Sequence, residues 1–145
     1  MPMARSSIVA SLVAATCIAL TPSCSSKSAP VEDLPQPTIE SLQAKVFTPR
    51  CADAGCHGID FPKQGVALFN PQVVVSTMVN VRPSVGDSGS YYPAIIVPGD
   101  PDRSFLIAKL TSLRQNEGLI MPSPQGALSP GTIDVIRTWI ANMPK

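Results

Sequence analysis

The sequence predicts an all-α fold of short helices joined by large loops, and three observations carry that expectation. Two segments open on an N-cap residue followed by proline, Asp100-Pro101 and Ser129-Pro130, a pairing that suits the first turn of a helix. Several stretches repeat apolar residues at helical spacing. The chain also carries 16 prolines and 9 glycines in 145 residues, which favours short elements with irregular connections.

Residues 1–23 read as a targeting segment. Arg5 gives a small positive start, and Ile8 to Leu20 is an apolar run of signal-peptide length, too short to span a membrane as a helix. Leu20-Thr21-Pro22-Ser23 then leads to Cys24 in a pattern that resembles a bacterial lipoprotein cleavage site. Cys24 is therefore the expected lipidation position, and the mature chain is expected to be exported, at the periplasmic face or the outer membrane, anchored through lipid. Residues 24–37, rich in Ser and Pro, read as a flexible tether. Residues 38–145 form the expected single domain.

Within it, Ile39, Leu42 and Val46 fall at i, i+3, i+7 and predict a short amphipathic helix ending before Pro49. Val73-Val74-Val75 has strand propensity. Pro71 at a first helical turn, with Val74, Val75, Met78 and Val79 spaced like one face, favours a helix instead. Ser84 to Tyr91 is expected as a loop and Ala94 to Val97 as a brief extended segment. Asp100-Pro101-Asp102 is expected to start a helix through Leu106, Leu110 and Leu113. Ser129-Pro130 should start the last helix, with Ile133, Ile136 and Ile140 inward and Trp139 packing near Val46 and Phe47. Arg114 to Leu128 remains a long Gly/Pro loop that no regular element explains, and such loops are often functional.

Charge narrows the function. The net charge is +1 with 14% charged residues, so there is no basic footprint for nucleic acid. Loss of Arg5 with the targeting segment leaves ten basic against ten acidic residues. The chemistry must come from a local site.

One candidate stands out, Cys51-Ala52-Asp53-Ala54-Gly55-Cys56-His57, which contains the one histidine of the chain. A disulfide between Cys51 and Cys56 suits an exported protein but leaves His57 unexplained. A structural zinc needs four ligands, and the only other thiol that remains after cleavage is Cys24, beyond the tether. Covalent haem uses all three residues: two thiols add to the two vinyl groups, and the histidine after the second thiol reaches the iron. The usual sequence is C-x-x-C-H; here two further residues separate the thiols.

These residues resemble a c-type cytochrome with the longer spacer found in a minority of that family. With a single histidine, a sixth ligand within the chain must be another donor, and methionine paired with histidine raises the potential of cytochromes c. Met78 falls in an apolar run and reads as core, and Met143 is two residues from the C-terminus. Met121, in Gly118-Leu119-Ile120-Met121-Pro122 on the unexplained loop, matches the place of the family's axial methionine. Cys-x4-Cys-His-Gly, Val97-Pro98-Gly99-Asp100-Pro101 with Ser104-Phe105-Leu106 and Lys109-Leu110, Met121-Pro122 and Trp139-Ile140 together are similar to small exported bacterial cytochrome-c-like domains. The resemblance implies a cytochrome-c-like all-α fold over residues 38–145, one haem c on Cys51 and Cys56, and His57 and Met121 as axial ligands. It also implies single-electron transfer with redox proteins of the envelope.

Nothing in the sequence assembles a general acid, base or nucleophile around a second histidine, so an electron carrier is expected, not an enzyme. Two other readings stay open: a haem-free, disulfide-containing lipoprotein domain that binds a partner, and a sensor or enzyme with five-coordinate haem.

Overall fold

The computed structural model describes residues 33–60 and 62–145. The targeting segment, Cys24 and most of the tether lie outside the described residues. Among those described there is no β-strand, only two isolated parallel bridges, Val79 with Ile96 and Ala94 with Ser104. The fold is all-α.

The chain enters the packed region early: Pro35 is buried, and Lys45 Nζ donates to Asp33 at 2.6 Å. Thr38 then caps α1 (Ile39–Leu42) by accepting from the Ser41 N–H. A π-helical turn, Gln43–Phe47, follows without a break and leads into α2 (Thr48–Arg50). This corrects the expected stop before Pro49. Proline disrupts an α-helix because its ring meets the carbonyl four residues back. The wider π turn, in which the Thr48 N–H reaches back five residues to the Gln43 carbonyl, opens the spacing ahead of the ring and lets the helix continue.

After a 3-10 turn at Lys63–Gly65, α3 (Pro71–Met78) forms as expected, with Asn70 accepting from the Val73 N–H. The helix periodicity wins over the strand propensity of the valine run. Val74 and Met78 are buried, whereas Val75 is exposed, and Val79 already leaves the helix to bridge Ile96. The segment read as a loop from Ser84 to Tyr91 contains a single short helix, α4 (Ser88–Tyr91).

Helix α5 (Phe105–Thr111) starts later than its Asp-Pro signal implied, with Ser104 as the N-cap residue. Asp100 instead caps a turn by accepting from the Arg103 N–H. The buried Ser104 hydroxyl knits that turn to the extended segment, donating to the Asp100 carbonyl and accepting from the Val97 N–H. The last helix, α6 (Pro130–Ala141), begins where the sequence placed it, with Ser129 accepting from the Thr132 N–H.

One core joins these pieces: Leu42, Val46 and Phe47 from the first helical run, Val74 and Met78 from α3, Ile107 and Leu110 from α5, and Ile136, Trp139 and Ile140 from α6. Trp139 meets Phe47 edge-on at 6.1 Å between ring centroids, the contact expected from sequence. The Ile140 carbonyl also receives the Gly99 N–H at 2.9 Å, which fixes α6 against the turn ahead of α5. Ile140→Ala, at a fully buried position, should lower the unfolding free energy by about 2–5 kcal/mol. Chemical denaturation of the purified protein against wild type checks this.

Candidate functional site

The two thiols and the histidine lie on one tight turn that leaves α2. The Phe47 carbonyl accepts from the N–H groups of both Cys51 and Ala52, ending the helix. The chain then folds back so that the Cys56 N–H donates to the Asp53 carbonyl at 3.0 Å and the His57 N–H to the Cys51 carbonyl at 3.2 Å. Two glycines make this possible. Gly55 has φ +81°, a conformation that favours glycine. At Gly58 a Cβ would lie 3.0 Å from the Ala52 carbonyl oxygen and 3.1 Å from that of Asp53, so a larger residue would have to push the turn slightly apart. Asp53, Ala54 and Gly55 are exposed, whereas both cysteines and His57 are half-buried.

The segment after the 3-10 turn braces the turn from its other side. Leu68 N–H donates to the His57 carbonyl at 2.8 Å, and His57 Nδ1 sits 2.9 Å from the Val66 carbonyl oxygen. A carbonyl only accepts, so Nδ1 must carry the proton in that bond. Nε2 is then left with its lone pair available as a ligand.

From the loop between α5 and α6, Met121 reaches the same cavity that Cys51, Cys56 and His57 line. Its N–H donates to the Lys109 carbonyl of α5 at 2.8 Å. Lys109 Nζ donates to the Glu117 carbonyl at 2.7 Å, and Gly118, at φ +84°, packs against that amine. Burial pushes the Lys109 ammonium below its ordinary pKa, with the Glu117 carboxylate acting in the opposite sense.

The cavity has a volume of about 420 Å³, and Cys51, Cys56, His57 and Met121 all line it. Its volume falls within the range of roughly 300–1,000 Å³ usual for cofactor and small-molecule sites. Its walls are overwhelmingly apolar and include core residues such as Leu68, Phe105 and Ile136. Met78, read from sequence as core, is both: it is 1% exposed and lines the cavity. The charged side chains in the lining are Arg50, Lys63 and Lys109, with no carboxylate among them. Sequence reading did not single out these three cations for the site. The signal for Lys109 was its position in α5 between Leu106 and Leu110, inside the apolar stripe.

Cys51 and Cys56 are free thiols. Among the described residues no group of three or more His, Cys, Asp or Glu side chains is placed to hold a metal ion, so a zinc site on Cys51, Cys56 and His57 has no counterpart. No protein-family model matches the chain, and neither the curated proteins nor the solved structures yield a match.

While the cavity is unfilled its apolar walls face solvent, and covering them adds stability through the hydrophobic effect. The protein lacking a cavity-filling group should therefore unfold at a lower temperature in calorimetry than the filled protein.

A second expectation concerns the free thiols. Burial pushes the Cys51 thiol from its ordinary 9.0 up to about 11, with Arg50 opposing and the Cys56 thiolate adding to the rise. The folded protein thus holds a proton that the unfolded chain loses first. The stability tied to Cys51 is complete below pH 9.0 and falls as pH rises towards about 11. In protein with both thiols free, alkylation of Cys51 should be slow at pH 9.0 and accelerate as pH approaches about 11, read by mass spectrometry of the labelled peptide.

Proposed function

We propose that the chain is a cytochrome-c-like electron-transfer domain. It holds one haem c covalently through Cys51 and Cys56 with His57 and Met121 as axial ligands, and it works in the cell envelope on a lipid anchor at Cys24. The observation that carries this reading is that these four haem-site residues, chosen from sequence on either side of a 64-residue gap between His57 and Met121, line one apolar cavity. When bound, haem supplies a one-electron iron couple whose potential His/Met ligation raises.

The protein's own residues supply the rest. Cys51 and Cys56 would hold the group as thioethers, the S–H of each adding across one vinyl double bond. The Val66 carbonyl holds the His57 ring in the tautomer that presents Nε2, the outer-sphere support that orients a ligating histidine. Phe105, Leu68 and Ile136 keep water from the centre. Arg50, Lys63 and Lys109 give an otherwise apolar cavity a positive lining that suits the two propionates. The partners that fit such a carrier are redox proteins of the envelope.

Protein made in a cytochrome-maturation-competent host should be red, give a pyridine haemochrome, and keep its colour through acid–acetone extraction. Colourless protein would establish the haem-free binding domain instead. In the ferric state, Met121→Ala should lose the methionine-to-iron charge-transfer band while Met78→Leu keeps it. Absence of that band from red wild-type protein would sink His/Met ligation in favour of the five-coordinate reading.

A further inference from the structure

The loop that carries Met121 has no regular structure of its own, yet it is tied down on both sides of the methionine. Four residues before it, the Glu117 carbonyl accepts from Lys109 Nζ at 2.7 Å. Four and five residues after it, the Gln125 and Gly126 carbonyls accept from one Arg50 guanidinium nitrogen at 3.2 and 3.1 Å. Midway, the Met121 N–H itself donates to the Lys109 carbonyl at 2.8 Å. Lys109 therefore grips the loop twice, with its side chain and with its main chain.

The anchors come from the two halves of the site. Lys109 belongs to α5, and Arg50 ends α2 immediately before Cys51. The guanidinium thus joins the methionine loop directly to the segment that bears the thiols. The side-chain bonds from Lys109 and Arg50 are charge-assisted, which makes them stronger than neutral ones. The first turn of the loop is also set internally: the buried Glu117 carboxylate accepts from the Arg114 N–H at 2.8 Å, so the carbonyl that Lys109 grips is presented by a fixed turn.

We propose that Lys109 and Arg50 are positioning residues that clamp loop 117–126 over the cavity and hold the Met121 sulfur in place as a ligand. The proposal rests on the haem reading above. It assigns to two cations a role in setting how firmly the sixth position is closed, separate from any part they take in binding the propionates. Loosening either anchor lets the loop swing out more often, and a small external ligand then competes more successfully with the methionine.

The test uses the full-length ferric holoprotein. Lys109→Leu and Arg50→Leu keep apolar bulk and remove the charge and the side-chain bonds to the loop without adding a sulfur ligand. Each should bind imidazole at the sixth position with about tenfold higher apparent affinity, the weight of one charge-assisted hydrogen bond. In each, the methionine-to-iron band should melt well below the loss of helical circular dichroism, and Arg50→Lys should restore most of the wild-type behaviour. Arg103→Leu, which removes an exposed cation paired with Asp100, should match wild type. If both the Lys109 and the Arg50 leucine variants bind imidazole as wild type does and lose the band together with the helix signal, the clamp is overturned alone. A wild type without haem, or with haem but no methionine band, overturns the underlying ligation and the clamp with it.

Discussion

The structure depends on a hollow centre. Buried helical side chains, Met78 from α3, Phe105 and Leu110 from α5 and Ile136 from α6, also border a common cavity. Close packing is the normal condition of a protein interior, so an unfilled space with mainly apolar walls is a place where burying a mainly apolar group would add stability.

Polar groups around the hollow are arranged with economy. The Val66 carbonyl orients His57, the Cys51 carbonyl takes the His57 N–H, and the Lys109 carbonyl takes the Met121 N–H. In each case a main-chain carbonyl of one segment fixes part of the site, through the His57 ring or through the backbone of His57 and Met121. Positive charge is confined to arginine and lysine side chains, which can bury their stems along the apolar wall while their heads find carbonyl or solvent partners.

Much of this was legible in the sequence where the local signal and the tertiary demand agree. Ser129-Pro130 starts α6 and Asn70-Pro71 starts α3 because nothing in the fold competes for those caps. Cys56-His57 could be singled out because their adjacency has chemical meaning on its own, and Met121 because it interrupts a loop with no structural reason to exist. Legibility failed where a distant group claims a local signal. Asp100-Pro101 looks like a helix start, but Ser104 is drawn to Val97 and to the Asp100 carbonyl, so the helix waits until Phe105. Pro49 looks like a stop, but the π turn ahead of it removes the steric reason for stopping. The tasks of Lys109 and Arg50 depend on carbonyls 8 and about 75 residues away, and no periodicity within a helix records such partners.

The exposed run Asp53 to Gly55 bears on how a site of this kind can vary. The cysteines and His57 face the fold, whereas the middle of the spacer faces solvent, so its length is hardly visible to the packing around it. A longer spacer can therefore extend into solvent with little change to the packed residues on either side of it. The constant element is then the Cys51 carbonyl bonded to the His57 N–H, which sets where the turn leaves and where it returns. A motif defined by that closure tolerates insertions that a motif defined by counting residues does not.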